Sequence, residues 1–372
     1  MIYNQTMLRN IEKKVLAGKR LSSADALELF ESEDLFLLGR LASFVAEKKN
    51  GKRAYYIRNR HINPTNICVN RCRFCAFSRS KGQKGAFELT IDEMTQKLGE
   101  GQRAKGLHLS RLSPPGISEV HIVGGLHPDW PFAHYLNMIS SIKKSFPGLH
   151  IKAFTAVEID YMAGLGGLSL FDTLSRLRES GLDSMPGGGA EIFDPGVRNM
   201  LCPEKISGER WLEVMETAHK VGIRTNATML YGHIEDYSHR VDHLIKLRAL
   251  QDRTGGFQAF IPLAYHPGNT EMKGNYTSGI DDLKTIAVSR LMLDNFDHIK
   301  AYWIMLGEKI SQLALKFGAD DIDGTVLEEK ITHSAGGLTG EGLTADQLAH
   351  LIRKAGKTPV ERDSFYKKAK TC

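Results

Sequence analysis

The chain has 372 residues, 42% of them hydrophobic and 25% charged, with a formal net charge of +6. That is an ordinary globular composition, long enough for one large domain or two to three small ones. No apolar run approaches the ~20 residues of a membrane span, and the amphipathic start "MIYNQTMLRNIEKKVLAG" carries Glu12 and lacks the form of a signal peptide, so a cytoplasmic protein is expected.

Residues 5 to 50 read as helices. Leu8, Ile11, Val15 and Leu16 keep helical spacing, and "LSSADALELF" offers Ser22 or Ser23 as an N-cap with acidic residues in the first turn. From residue 51 the rhythm changes. Strands are predicted at 54–63, 119–125, 150–156, 184–193, 223–232, 257–265, 300–307 and 318–325, separated by helical patterns that often end in glycine. Eight such units predict a (β/α)8 barrel of TIM type. A doubly wound sheet is the alternative, but no G-x-G-x-x-G follows the first strand. The expected organisation is an N-terminal helical extension (1–53), the barrel (54–335) and a short C-terminal helical tail (336–372) whose helix is capped by Thr344.

In a barrel the ends of the strands converge on one mouth. Here those ends are polar: Asn63, Thr65 and Asn66, then His127 and Asp129, Thr155 and Glu158, Glu191, Asn226, Thr228 and His233, His266, and Glu308. Solvated loops explain some of these. They explain the Gly187–Gly189 run poorly, because glycine weakens a strand unless backbone must approach something closely.

Three of the five cysteines fall within eight positions, as C-x3-C-x2-C at Cys68, Cys72 and Cys75. In a reducing compartment such clustering reads as metal-binding or catalytic. A structural zinc site prefers four ligands, with Cys202 or Cys372 as a distant fourth. Combined with the basic stretch Arg71, Arg73, Arg79, Lys81 and Lys84, that reading gives a zinc-dependent nucleic-acid-binding module. The same stretch also suits a small acidic ligand or an acidic protein. An iron–sulfur cluster on three thiolates is the other reading. It leaves one iron open to chelate the amine and carboxylate of a small ligand.

The cysteine spacing, with Phe74 before the last cysteine, resembles the signature of the radical S-adenosylmethionine (SAM) superfamily. The resemblance implies a [4Fe–4S] cluster on Cys68, Cys72 and Cys75, with SAM on the open iron. It implies that Phe74 flanks the adenine and that the backbone of Gly124 and Gly125, in "HIVGGLHP", accepts the SAM amino group. It implies further that Glu191 holds the ribose and that Arg210 pairs with the SAM carboxylate. Cys202 and Cys372 are then non-ligands. Longer segments, among them "IVGGLHPDWPF", "KAFTAVEIDY", "GGFQAFIPLAYHP" and "GADDIDGTVLEEKITHSAGG", are similar to the aminofutalosine synthase family of the futalosine route to menaquinone. Its relatives are the cyclic dehypoxanthine futalosine synthases and the deazaflavin-cofactor synthases.

That resemblance implies a transferase in which the deoxyadenosyl radical adds to the enol ether of 3-[(1-carboxyvinyl)oxy]benzoate. Loss of the carboxyl group then gives 6-amino-6-deoxyfutalosine, so SAM is consumed as a co-substrate. The implied partners are an aromatic dicarboxylate substrate and a reductant such as flavodoxin or ferredoxin, with no nucleic acid. Residues expected to meet the dicarboxylate are His127, Asn226, Thr228, His233, His266 and Arg290. Glu158 and Asp160 are candidate acid–base groups or structural anchors.

Overall fold

Ser22, not Ser23, caps the second helix. Its hydroxyl accepts from the Asp25 amide, and the Asp25 carboxylate accepts from the Ser22 amide, a reciprocal pair that fixes a helix start. The computed structural model describes residues 2–100, 116–340, 342–367 and 369–371. Cys372 lies outside them. Three helices lead: α1 (Ile2–Leu16), α2 (Ser23–Glu31) and α3 (Leu35–Asn50).

The predicted first strand, 54–63, is two strands. β1 (Arg53–Ile57) and β2 (Asn59–Ile62) part at Arg58, whose side chain pairs with Glu361 at 3.1 Å. From β2 the barrel runs through α4 (Ile91–Glu100), β3 (Glu119–Ile122), α5 (Phe132–Ser145), β4 (His150–Ala153), α6 (Ala156–Gly166), α7 (Leu170–Glu179) and β5 (Ser184–Met185). It continues through α8 (Pro195–Leu201), α9 (Gly208–Val221), β6 (Arg224–Tyr231), α10 (Tyr237–Thr254), β7 (Phe257–Ala264), α11 (Gly279–Met292) and β8 (His298–Ile299). The last elements are α12 (Trp303–Ala314), β9 (Asp321–Gly324), α13 (Ile331–Ser334), α14 (Ala345–Lys354), β10 (Thr358–Arg362) and β11 (Ala369–Thr371).

Strands β2 to β8 pair in sequence order in one parallel sheet. A second sheet has the order β11–β10–β1–β9, in which β1 lies parallel to both β9 and β10. Single bridges, Lys300 to Asp321 and Arg60 to Leu327, join the second sheet to the two edges of the first. The eight parallel strands β2 to β9 therefore curl into the expected barrel, with a narrow seam on either side of β9. Helices pack around the outer face of the strands, and the inner face lines the barrel interior, so the strands are almost wholly buried.

Two expectations are corrected. The apolar run at 300–307 is not a strand: β8 ends at Ile299 and Trp303 opens α12. A short apolar run does not by itself separate strand from helix, and the Trp303 indole binds the Gly324 carbonyl at 2.8 Å. Glu308 consequently lies on a helix and not at a strand end. The tail is also more than a helix, because β10 extends the second sheet beside β1. No described helix is long and apolar enough to cross a membrane.

Candidate active site

A cavity of about 330 Å³ opens at the carboxyl ends of the strands and reaches down between them. Its rim is built by the loop after β2. The Thr65 hydroxyl donates to the Phe87 carbonyl (2.7 Å), and the Asn66 amide donates to the Gly85 carbonyl (2.9 Å). The Cys68 amide binds the Arg79 carbonyl at 3.0 Å. These bonds fold residues 65–87 back on themselves. Cys68, Cys72 and Cys75 all face the cavity as free, half-buried thiols. Burial pushes the Cys72 thiol up to about 12 and raises that of Cys68, so thiolates form there only with a compensating cation or metal.

Gly124 and Gly125 follow β3 and line the same rim. A Cβ on Gly125 would collide with the Ile67 carbonyl, and one on Gly124 would lie 3.0 Å from the Thr65 carbonyl. Glycine is therefore required where this turn lies against the cysteine loop. Glu158 is fully enclosed beneath it. Its carboxylate accepts from Thr155 (N 2.7 Å, Oγ1 2.8 Å) and from the Gly124 amide (3.2 Å). Burial raises its pKa to about 7. Its contacts are those of a structural anchor, capping α6 and holding the glycine turn. The Gly187–Gly189 run also lines the cavity, where added Cβ atoms would strike Ala227, Thr155 and Val157.

Glu191 sits at a positive φ of 46° on the cavity wall. Its carboxylate receives the Lys205 ammonium at 2.6 Å, and that ammonium lies 4.9 Å from the centre of the Phe74 ring. Asn226, Thr228 and His266 also line the cavity. Thr228 donates to the Gly187 carbonyl at 2.6 Å. His266 engages Nε2 with the Met305 carbonyl at 3.0 Å and keeps Nδ1 buried without a partner.

Four expected residues lie elsewhere. Arg210 points to the surface of α9, paired with Asp160 (2.6 Å) and Glu213 (2.7 Å). Asp160 is thereby a structural anchor. Arg290 is fully buried on α11, binding Asp320 at 2.5 Å and the carbonyls of Gly318, Phe296 and Asp297. His233 closes the turn after β6 through the Leu230 carbonyl (3.0 Å) and Glu235 (2.9 Å). His127 stacks on Trp130 and lies 3.1 Å from Glu88. None of the four is among the residues that line the cavity.

The wall holds others in their place. Lys205 is one. Deeper, two buried ion pairs cross between neighbouring strands: Lys152 with Glu119 at 2.7 Å, and Lys300 with Asp323 at 2.8 Å. His61 and His121 stand beside them. The signal was present in "NRHI" and "EVHI", where Asn59 and His61, and Glu119 and His121, fall two apart and so share the inward face of their strands.

Residues 62–247 match the model of the radical SAM superfamily, and residues 254–372 match that of the CofH/MqnC C-terminal region. The chain belongs to the radical SAM superfamily. As a radical SAM enzyme it uses a [4Fe–4S] cluster and SAM. It is 46% identical to the aminodeoxyfutalosine synthase of Thermus thermophilus, over 97% of this chain and 95% of the relative. It is 43% identical to that of Streptomyces coelicolor, over 96% and 93%. It is also 40% identical to the 5-amino-6-(D-ribitylamino)uracil–L-tyrosine 4-hydroxyphenyl transferase of Methanocaldococcus jannaschii, over 94% and 97%. Among solved structures, the hydrogenase maturase HydG from Carboxydothermus hydrogenoformans superposes with a TM-score of 0.72 at 16% identity, covering 98% of this chain and 81% of that one. Methylornithine synthase (PylB) gives 0.72 at 20%, covering 94% and 97%. These two likenesses concern the fold.

The residues present suit the superfamily's cofactors. Among the described residues, no three His, Cys, Asp or Glu side chains stand where one metal ion could hold them together. A lone zinc ion needs its thiolates about 2.3 Å from a single centre. A cubane instead takes each thiolate on a separate iron, which suits three free thiols spread along one rim.

Proposed function

We propose that this enzyme is an aminodeoxyfutalosine synthase. It joins the 5′ carbon of SAM to the vinyl carbon of 3-[(1-carboxyvinyl)oxy]benzoate, with release of methionine and the carboxyl group. The observation that carries the reading is the 46% and 43% identity to two such synthases over nearly the full length of both chains. The cavity supports it. Its walls are mainly apolar, as an aromatic substrate wants, and its polar groups include an unengaged His266 Nδ1.

In this reading Cys68, Cys72 and Cys75 hold the cluster, which supplies the electron that cleaves SAM. The residues around it bind and orient. Phe74 and the Gly124–Gly125 turn flank SAM, Glu191 receives the ribose hydroxyls, and Lys205, in the place expected of Arg210, faces the methionine carboxylate. Asn226, Thr228 and His266 border the substrate. The mostly apolar lining deep in the barrel limits water around the radical. A flavodoxin or ferredoxin is the reductant, and the cytoplasm is the site of action.

The test is incubation of cluster-loaded protein with SAM, a reductant and the enol-ether benzoate, with products followed by mass spectrometry. The adenosylated adduct is expected. SAM cleavage that requires tyrosine and 5-amino-6-(D-ribitylamino)uracil would assign the chain to the transferases. Cleavage that requires dehypoxanthine futalosine would assign it to the cyclising synthases.

A further inference from the structure

Below the rim the barrel interior has a feature that the cofactors leave unexplained. His61 on β2, His121 on β3 and Lys152 on β4 stand in one register across three adjacent strands. The two imidazoles meet edge to face, 4.6 Å between centres at 72°. Nε2 of each is buried with no hydrogen-bond partner. Lys152 is held at 2.7 Å by Glu119, and both are 3% exposed. All four side chains line the cavity.

A buried polar atom without a partner is costly, and native proteins leave few of them. Two on neighbouring strands, on the wall of one cavity, mark a place where a ligand completes the hydrogen bonding. The depth agrees. His121 precedes Gly124 by three residues, so it lies about 10 Å below the rim at 3.3 Å per residue. A ligand whose reacting end meets SAM at the rim would bring its far end to this row.

The chemistry narrows the ligand. Burial holds both imidazoles below their usual pKa, so each brings one N–H donor. Two donors on adjacent strands match a group with two acceptor oxygens, and the Lys152 ammonium, shared with Glu119 at 2.7 Å, is the cation that stands beside them. A phenol offers a single oxygen, whereas a carboxylate offers two.

We propose that the His61–His121 pair, backed by Lys152, receives the aryl carboxylate of the substrate and so sets how deep the enol ether sits beneath SAM. The inference rests on the synthase reading above. It makes the pair a specificity device for a ring carrying a carboxylate.

The test measures binding to cluster-loaded, unreduced enzyme in the presence of SAM, by equilibrium dialysis. The probes are 3-[(1-carboxyvinyl)oxy]benzoate and the same ether lacking the ring carboxylate. His121→Phe and His61→Phe keep a ring but remove the donors. Each should weaken the dicarboxylate about 10- to 100-fold, the range of a hydrogen bond to a charged group, and leave the truncated ether within about threefold. His121→Gln, which retains an N–H, should recover most of the loss. Should a Phe variant not fold, the Ala variant enters the same comparison. Equal weakening of both probes, or no weakening of either, overturns the proposal while leaving the synthase reading intact. Failure of the unaltered enzyme to bind the dicarboxylate at all overturns both.

Discussion

At the scale of single residues, the cysteines and the two candidate cations for the SAM carboxylate make distinct claims. Cys68, Cys72 and Cys75 face the cavity, whereas Cys202 is buried at the end of α8 and is not among the residues that line it. Cys72→Ala should therefore lose the roughly four irons per chain of a [4Fe–4S] cluster, and Cys202→Ala should keep them. Iron and sulfide analysis after anaerobic reconstitution decides this, and iron retained in Cys72→Ala refutes the assignment. Lys205 and Arg210 separate in the same way. Lys205 is buried on Glu191, while Arg210 is partly exposed and occupied by two carboxylates. Lys205→Met should weaken SAM binding by more than about tenfold, the worth of a charge-assisted bond, and Arg210→Ala by less than about threefold. Calorimetric titration with SAM would reverse the two roles if Arg210→Ala proved the more damaging.

At the scale of elements, the tail contributes a stave to the molecule. Arg362 ends β10 with its guanidinium wholly buried, 2.5 Å from Asp321 on β9, and the Tyr366 hydroxyl reaches the same carboxylate at 2.5 Å. Tyr366 also stacks on His298 of β8 at 3.6 Å, and Phe365 meets His150 of β4. Residues 362–366 thus pack against three strands at the end of the barrel opposite the active site. Removing one partner of a buried pair leaves the other charge uncompensated, so Arg362→Met should cost about 3–5 kcal/mol. Urea denaturation measures it, and a loss below about 1 kcal/mol would mean that water reaches Asp321.

This stave was not legible in the sequence, because the pairing of β10 with β1 spans some three hundred residues and no local pattern encodes it. The barrel itself was legible, since each βα unit carries its own periodicity. So was the cysteine rim, whose spacing is local. Arg290 and His233 misled for a complementary reason. A polar residue near a strand end looks the same in sequence whether it faces the mouth or binds backbone carbonyls behind it. Position in the strand alternation would have served better, and it singles out His61 and His121.

At the scale of the whole molecule, stability should depend on acid in a defined window. His150 and His219 are held neutral by burial, with pKa values lowered to about 4, and His243 to about 3. In the unfolded chain each takes a proton near the ordinary 6.5. Below that pH the unfolded state binds more protons than the folded one, so stability declines as pH falls. At pH 5 each of these histidines withdraws about 2 kcal/mol. Glu158, raised to about 7, binds its proton in the folded state first and returns about 2 kcal/mol in the same window. The net loss of a few kcal/mol is still a large part of the 5–15 kcal/mol of a typical fold. Glu235 acts lower down. Burial opposes its charge, but His233, Arg240 and the Gly232 amide overcome this and bring its pKa to about 2. Its contribution is complete above the ordinary 4.5 and is lost as pH falls from there toward 2. The histidines should therefore govern the transition, and most of the loss should precede any protonation of Glu235. Urea midpoints of the cluster-loaded enzyme at pH 7.5, 6 and 5 should fall steadily. His219→Gln, which can still bond Thr225 and Thr254 across the ring's present contacts of 2.9 and 2.7 Å, should flatten the slope, restoring about 2 kcal/mol of the loss at pH 5. A midpoint that holds constant down to pH 5 would mean that these imidazoles are protonated and accommodated in the fold.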